Sequence, residues 1–253
     1  MDLGLDGRVY LVTGGSRGLG FATATVLVAE GARVVLAARD EASVTEAAHK
    51  LGPDVAVGLA EDLGKPGTAE RLVAAANARF GQLDGALISV GGPPAGSAMD
   101  TTDEQWRSGF ETVFLGAVRT ARAAANGLGD GGSIALVLST SVRSPIPGLA
   151  VSNGLRPGLA MVAKSLADEL GPRGVRVNAL LPGRIATDRI RELDSLGGSD
   201  PEENRAKHSG SIPLRRYGEP NEFGRAAAFL LSPAASYLTG VMLPVDGGAL
   251  RSL

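Results

Sequence analysis

Short apolar runs alternate with longer, mixed segments along most of the chain. The runs are rich in Val, Ile, Leu and Ala and lie at 9–12, 33–37, 55–59, 83–89, 133–138, 175–180 and 241–245. Segments with helical character separate them, notably at 41–51, 69–80, 103–126 and 159–170. Strands that alternate with helices of about 10 to 20 residues indicate a parallel sheet covered on both faces. We therefore predict one α/β domain over 1–253, built on a doubly wound, seven-stranded parallel sheet.

One long segment, 184–220, interrupts this alternation. It has no strand pattern and carries most of the mixed charge of the C-terminal half. Ligands of open α/β sheets bind beyond the carboxyl ends of the strands, so an insertion after the sixth strand is placed to cover that crevice. We predict a lid at about 184–220, with plain surface decoration as the alternative.

Composition narrows the chemistry that the fold can support. The chain has 253 residues, 25 Lys plus Arg against 27 Asp plus Glu, no Cys and two His. Thiol nucleophiles, disulfides and Cys-ligated zinc are excluded, and we expect no metal site. The basic residues are scattered and aromatic residues are few, which argues against nucleic acid as a partner. No apolar run approaches the ~20 residues of a membrane helix, and the N-terminus lacks a signal-peptide pattern. We expect a cytoplasmic protein without membrane association.

A glycine-rich turn follows the first predicted strand. It reads TGGSRGLG at 13–20 and leads directly into an Ala- and Val-rich helix. Glycines let the backbone approach a pyrophosphate, and the helix N-terminus supplies N–H groups and partial positive charge. The alternative is a tight turn without a ligand. The predicted cofactor contacts here are Gly14, Ser16, Arg17, Gly18, Leu19 and Gly20.

The end of the second strand decides between the two nicotinamide dinucleotides. An acidic residue there binds a ribose 2′-hydroxyl, whereas a basic residue accepts a 2′-phosphate. This chain has Arg39 at that place and Arg17 in the glycine turn, so we predict NADP(H). Asp40 follows Arg39 and weakens the prediction slightly. For either arginine taken alone, the plainer interpretation is a solvated surface charge.

These motifs, taken in order, resemble the short-chain dehydrogenase/reductase family, and most of all its 3-oxoacyl-acyl-carrier-protein reductases. The resemblance covers nearly the whole chain and implies a Rossmann fold, a small-molecule carbonyl or alcohol substrate and a homotetramer. It also implies that Ile185 and Thr187 hold the nicotinamide carboxamide. The further cofactor contacts that it implies are Asp62, Leu63, Gly91, Pro182 and Gly183.

The catalytic positions depart from the family pattern. Members use a Ser, a Tyr and a Lys spaced Tyr-x-x-x-Lys, and an Asn on the fourth helix. Ser139 matches the family's Ser, but the register places Ser152 at the Tyr, Arg156 at the Lys and Val113 at the Asn. None of the three tyrosines, Tyr10, Tyr217 and Tyr237, lies where it could substitute. We assign Ser139, Ser152 and Arg156 as the catalytic set.

This replacement changes the proton chemistry. A phenol of pKa ~10 can be tuned toward neutrality, whereas an aliphatic alcohol is a poor acid or base without help. Arg156 stays protonated, so it cannot act as a base, but it can donate hydrogen bonds to the ribose hydroxyls of the cofactor. We predict an NADP(H)-dependent oxidoreductase with a non-standard proton relay. The proton would come from water, from the substrate, or from a residue such as His208 or Asp188.

Pro157 stands where the family's helix continues. Proline removes an i→i−4 hydrogen bond and clashes with the preceding turn, so we predict a helix that starts late or is kinked. Ser152 and Asn153 would then be capping residues, which is the structural alternative for Ser152.

Other functions stay open from the residues alone. Loss of the Tyr and the Lys also suits an NADP(H)-binding sensor or regulatory subunit without turnover. A cyclase, dehydratase or isomerase could use the same pocket. Arg143 and Arg184 follow the fifth and sixth strands and are candidates for binding a carboxylate or phosphopantetheinyl group; solvated loop arginines are the plainer interpretation.

Overall fold

The strands of the chain form one parallel sheet. A computed structural model describes residues 2–195 and 200–252, and within them seven strands lie in the order β3-β2-β1-β4-β5-β6-β7. The strands are β1 Val9–Thr13, β2 Arg33–Ala38, β3 Ala56–Ala60, β4 Gly85–Ser89, β5 Ser133–Val137, β6 Arg176–Pro182 and β7 Met242–Val245. The order reverses between β1 and β4, where the carboxyl ends open a crevice for a ligand. The predicted doubly wound sheet is confirmed.

Helices cover both faces of the sheet. They are α1 Gly18–Ala29, α2 Glu41–Leu51, α3 Thr68–Phe80, α4 Asp103–Gly109, α5 Gly116–Gly127, α6 Ala150–Leu170, α7 Asp188–Asp194, α8 Pro201–Ser211 and α9 Pro220–Leu231. α3, α5 and α6 bury one face, and α1, α2 and α9 bury the other. Successive side chains of β1 alternate between the two cores, Val9 and Leu11 to one and Tyr10 and Val12 to the other, as strand geometry requires.

The long helix predicted at 103–126 consists of three segments. Thr102 and Gln105 form a capping box at the start of α4, and α5 ends at Gly127. Between them Phe110–Leu115 is π-helical. Such turns frequently lie at functional sites. Val113, which takes the place of the family's Asn, lies in this turn and is buried in the core.

The structure overturns one of the two alternatives predicted for Pro157, the late start of the helix. α6 is an unbroken helix from Ala150 to Leu170 with Pro157 inside it, so it does not start late. Leu149 is its N-cap residue, and Ser152 lies inside the first turn. The Asn153 side chain instead bonds the N–H and the carbonyl of Ile146, at 3.0 and 2.9 Å. The capping role of Ser152 and Asn153 was therefore wrong.

The region of the predicted lid contains α7, α8 and the segment that leads into α9. Residues 196–199 of that prediction lie outside the described residues. Across the part of the chain that the structure describes, no helix combines the length and the apolar character needed to span a membrane.

Candidate functional site

The glycine turn forms a cradle that side chains would fill. Gly14 and Gly18 have positive φ angles of 59° and 58°, a conformation that favours glycine. A Cβ on Gly14 would lie 2.8 Å from the Ser89 carbonyl oxygen, and one on Gly20 would lie 2.3 Å from the carbonyl oxygen of Gly14. Arg17 is the N-cap residue of α1 and makes no side-chain cap, so the first N–H groups are left for a ligand. The turn fits a pyrophosphate.

The adenosine end of the crevice carries two exposed arginines. Arg17 and Arg39 form no salt bridge within the described residues. The neighbouring Asp40 caps α2, accepting from the Ser43 N–H at 2.8 Å. Hydrogen bonds from Ser43, with a smaller contribution from Arg17, lower the pKa of Asp40. The carboxylate that weakened the NADP(H) prediction is therefore used for helix capping.

The residues expected to contact adenine lie in a tight turn after β3. Asp62 Oδ1 accepts from the Gly64 N–H at 3.0 Å, which fixes the turn. Leu63 lies against α5, where a Cβ on Gly116 would be 2.8 Å from the Leu63 carbonyl oxygen. Gly91, beyond β4, has open space on its side-chain face.

The segment after β6 meets the glycine turn. Gly183 abuts Asp246, because a Cβ there would lie 2.6 Å from the Asp246 Cβ. Ile185 is buried, and a Cβ on Gly18 would be 3.7 Å from the Thr187 methyl group. The structure thus brings Thr187 to the pyrophosphate turn, on the side where the nicotinamide half of a dinucleotide would lie.

Three serines are linked beyond the end of β5, two of them through their hydroxyls. The Ser141 N–H donates to Ser139 Oγ at 3.1 Å, and Ser141 Oγ lies 3.3 Å from Ser152 Oγ. Ser152 is only 5% exposed. The predicted pair Ser139 and Ser152 is therefore joined through Ser141, a residue that sequence reasoning missed. Its only signal was its position two residues after Ser139, and a 3₁₀ turn over Thr140–Val142 places it.

Arg156 extends from α6 toward β5, one turn after Ser152. It is 6% exposed, and its Nη1 donates to the Val137 carbonyl at 2.9 Å. Burial, and secondarily the charge of Arg189, lowers its pKa to about 10, so it is a cation at neutral pH. Within residues 2–195 and 200–252 it has no carboxylate partner.

A second buried arginine, Arg176, differs from Arg156 in the number of its hydrogen bonds. Arg176 donates to three carbonyl oxygens at the end of α9, those of Leu230, Leu231 and Ser232. By contrast, Arg156 Nε and Nη2 have no partner among the described residues. No fully buried polar side-chain atom of those residues lacks a partner, so these two nitrogens keep some contact with solvent. Arg156 can therefore hold a ligand.

The tyrosines are occupied elsewhere. Tyr10 lies in the core, where its hydroxyl lies 3.4 Å from the Leu231 carbonyl oxygen and burial raises its pKa strongly. Tyr237 is fully exposed. Tyr217 is 3% exposed and donates to Asp194 Oδ2 at 3.0 Å.

The other proposed site residues also have partners. Arg184 donates to Asp194, to the Tyr217 hydroxyl at 3.2 Å, and lies 2.9 Å from His208 Nε2. Arg143 donates to the Met242 carbonyl at 3.2 Å, on the surface. Both arginines therefore have hydrogen-bond partners within the protein.

The two residues suggested as proton donors are likewise engaged. Asp188 pairs with Arg191 at the surface. His208 Nε2 faces the Arg184 guanidinium, and burial together with Arg184 lowers the pKa of the imidazole. Sequence reasoning missed Asp194 and Tyr217, since no spacing pattern marks them.

Strand order, glycine turn and crevice define a dinucleotide-binding scaffold. Comparison with known proteins is more specific: the chain belongs to the short-chain dehydrogenase/reductase family and is an oxidoreductase that uses a nicotinamide cofactor. A family model described as "Enoyl-(Acyl carrier protein) reductase" matches residues 14–249. The predicted family is confirmed.

Similar proteins include enzymes that act on sugars and on acyl thioesters. The chain is 34% identical over 256 residues to L-rhamnose 1-dehydrogenase (NAD(P)(+)) of Azotobacter vinelandii, covering 97% of this chain and 98% of that protein. It is 32% identical over 248 residues to a 3-oxoacyl-acyl-carrier-protein reductase of Vibrio cholerae, with 97% and 98% covered. L-sorbose reductase from Gluconobacter frateurii, solved with NADPH and L-sorbose, superposes over 100% of both chains with a TM-score of 0.93 and 31% identity.

Proposed function

We propose that this chain is an NADP(H)-dependent oxidoreductase that reduces a small-molecule carbonyl, or oxidises the corresponding alcohol, through a non-standard proton relay. The observation that carries the proposal is the linked set Ser139, Ser141 and Ser152 near Arg156, which is buried and has no carboxylate partner among the described residues. This set lies at the carboxyl end of β5, next to the crevice that the glycine turn opens.

The arginines at the adenosine end support NADP(H) over NAD(H). Arg17 and Arg39 are exposed, and Asp40 is turned toward α2, so no carboxylate competes for the ribose 2′ position. The L-sorbose reductase with the same fold was solved with NADPH, whereas the similar L-rhamnose dehydrogenase is described with either dinucleotide.

When bound, the cofactor supplies or accepts a hydride, and the chain's own residues supply the rest of the chemistry. Ser139 and Ser152 would hold the substrate oxygen by hydrogen bonds. The free nitrogens of Arg156 would bind the ribose hydroxyls and keep a positive charge beside the oxygen as it gains negative charge. A guanidinium can stabilise an alkoxide in this way without giving up its proton.

The proton then travels along hydroxyls. A serine hydroxyl can donate one proton while it accepts another, so the Ser141–Ser152 pair, whose Oγ atoms lie 3.3 Å apart, could pass a proton from water to the alkoxide oxygen without changing its own charge. Neither hydroxyl titrates near neutrality. The rate should therefore be nearly independent of pH between about 6 and 8, in contrast to catalysis by a tuned acid.

The direct test is NADPH consumption with a panel of ketoses, ketones and 3-oxoacyl thioesters. We expect turnover of at least one class, and a loss of about 100-fold or more in the double variant Ser139→Ala, Ser152→Ala. Ser165→Ala on the exposed side of α6 is the matched control and should keep the wild-type rate. No consumption above background with any substrate would refute the proposal.

A second function is favoured by one observation: Ser152 Oγ is bonded to Ser141 and no ionisable acid replaces the family's phenol. An NADP(H)-binding sensor or regulatory subunit would then bind NADPH tightly without consuming it. A cyclase, dehydratase or isomerase would form product without added nicotinamide, which product analysis would detect.

We also propose that the chain assembles as a homotetramer in the cytoplasm. Exposed apolar side chains support association through the helices on one face: Met161 on α6 is 67% exposed, and Phe110 stacks on Phe114 at 5.3 Å. Size-exclusion chromatography with light scattering would test the assembly, and a monomer would contradict it.

A further inference from the structure

A partly buried polar cluster lies where α7, α8 and the segment before α9 meet. We call its four residues, Arg184, Asp194, Tyr217 and His208, the Arg184 hub. Arg184 donates to Asp194 and to the Tyr217 hydroxyl, and its Nη2 lies 2.9 Å from His208 Nε2. Tyr217 in turn donates to Asp194 Oδ2 at 3.0 Å. Asp194 is 5% exposed, so this carboxylate is desolvated and needs these donors.

The hub is what attaches α8 to the rest of the protein. From Glu202 to Ser211 no residue of α8 is buried, so apolar packing contributes little to its position. Instead Asn204 Nδ2 donates to the Asp194 carbonyl at 2.8 Å. The Tyr217 ring is flanked by the guanidinium groups of Arg184 and Arg205, at 5.7 and 5.0 Å from its centroid.

The backbone of Arg184 is part of the segment that meets the glycine turn. The Gly218 N–H donates to the Arg184 carbonyl at 3.0 Å, and the Ala186 N–H donates to the Gly218 carbonyl at 2.8 Å. Ile185 and Gly218 form an isolated parallel bridge. Tyr217 therefore holds Arg184 by its side chain while Gly218, next in sequence, holds the neighbouring backbone.

We propose that the Arg184 hub is a positioning device for the nicotinamide half of the cofactor: by clamping α7 and the 217–218 arm onto Arg184, it sets the backbone that presents Ile185 and Thr187. This inference rests on the proposed function, because it takes that segment as the receiver of NADP(H). The hub residues are positioning residues, since none of them lies in the serine cluster.

The consequence is a selective effect on the two halves of the dinucleotide. The adenosine half is held by the glycine turn and by Arg39, at the other end of the crevice, and does not depend on the hub. Asp194→Asn leaves Arg184 without its carboxylate, and Tyr217→Phe removes only the hydroxyl while keeping the ring. Each should weaken binding of NADPH and spare a ligand that lacks nicotinamide.

The test measures equilibrium binding of two ligands, NADPH and adenosine 2′,5′-bisphosphate, to the full chain at a temperature well below unfolding. For Asp194→Asn we expect about a tenfold loss of NADPH affinity, within the usual range of coupling between linked sites, and bisphosphate affinity within about twofold of wild type. Tyr217→Phe should lose less NADPH affinity than Asp194→Asn, again with bisphosphate affinity kept. It keeps the test valid if Asp194→Asn folds poorly.

Glu203→Gln is the matched control. Glu203 is exposed on α8 and is not a hub residue. It should leave both affinities unchanged.

Equal loss of both ligands in the hub variants would overturn the proposal, because it would mean that the hub only holds the fold together. Unchanged NADPH affinity would overturn it as well. Binding needs no turnover, so a selective loss in a chain that never consumes NADPH would support the hub while refuting the redox proposal. A wild-type chain that binds the bisphosphate but not NADPH would refute both.

Discussion

Two buried arginines have opposite surroundings, and this difference separates function from stability at the scale of single residues. Arg176 gives its donors to three carbonyl oxygens at the end of α9. Arg156 gives one donor to Val137 and has no carboxylate partner within residues 2–195 and 200–252. A buried charge without a partner destabilises a fold, so Arg156 is best explained by a ligand.

Substitution of Arg156 should therefore reduce activity, whereas substitution of Arg176 should reduce stability. Arg156→Gln is expected to lower kcat/KM by about 100-fold or more, a loss of ~2.7 kcal/mol of transition-state stabilisation, with little loss of folding stability. Arg176→Gln is expected to lower the free energy of unfolding by about 2–4 kcal/mol, because several buried carbonyls lose a charged donor, with kcat unchanged.

Steady-state kinetics and urea unfolding of both variants test this pair. If Arg156→Gln lost stability but kept its activity, the guanidinium would be structural, and the assignment of Arg156 to the cofactor and substrate would be wrong.

At the scale of elements, α6 contains a residue that weakens the helix. Pro157 lies inside a helix of 21 residues, so no N–H at that position can donate to the Asn153 carbonyl. Pro157→Ala would restore that donor, and we expect the free energy of unfolding to rise by about 1–3 kcal/mol. Pro172, at the start of the 3₁₀ turn Gly171–Arg173, is at a position that suits proline. Pro172→Ala should therefore lower stability, by about 0.4–1 kcal/mol. Urea unfolding of the two variants checks the signs, and equal signs would contradict the strain at Pro157.

The docking of α8 predicts a dependence on pH. His208 faces Arg184 and Asp194, with Lys207 also contributing, and burial is the largest cause that lowers its pKa below the ordinary 6.5. The folded state therefore prefers neutral His208, and its contribution is complete above about pH 6.5 and is lost as pH falls toward the lowered pKa. Because the side chain is partly solvated, we expect a loss of only about 1 kcal/mol or less.

Denaturant unfolding between pH 8 and 5 measures this loss. His208→Gln keeps an oxygen acceptor for Arg184 and should remove that part of the pH dependence. His49→Gln, at an exposed position on α2, is the control and should retain it. An identical pH dependence in wild type and His208→Gln would contradict the role of His208.

Sequence patterns predicted what depends on local periodicity and on ordered motifs. The seven strands and the glycine turn follow from alternating apolar runs and from backbone positions that favour glycine. Even so, the late helix start predicted from Pro157 was wrong, because packing of α6 against the sheet outweighs the local penalty of one proline.

Side-chain partnerships across long separations could not be predicted. Arg184, Asp194, His208 and Tyr217 come from four separate segments of the chain, and only tertiary structure brings them together. Ser141 becomes the link between Ser139 and Ser152 because a 3₁₀ turn folds it back toward α6, and no spacing rule marks such a turn. Partners of this kind must be seen in three dimensions.

At the scale of the whole molecule, the proposed cofactor contacts come from both halves of the sheet. The glycine turn and Arg39 follow β1 and β2, whereas Ile185 and Thr187 follow β6. A ligand that bridges the halves binds the folded chain only, so it stabilises by mass action, by about 2.7 kcal/mol at a concentration 100 times its Kd. For a chain of this size that corresponds to a rise in Tm of about 5–10 °C.

The last prediction compares the two dinucleotides by this rise. At equal concentrations NADPH should raise Tm more than NADH, because Arg17 and Arg39 would bind the 2′-phosphate that only NADPH carries. The double variant Arg17→Gln, Arg39→Gln should lower the NADPH shift to that of NADH. Arg33→Gln, at the opposite end of β2, should leave both shifts as in wild type. Thermal unfolding monitored by circular dichroism gives the shifts, and equal shifts with the two cofactors in the wild-type chain would contradict the assignment of NADP(H).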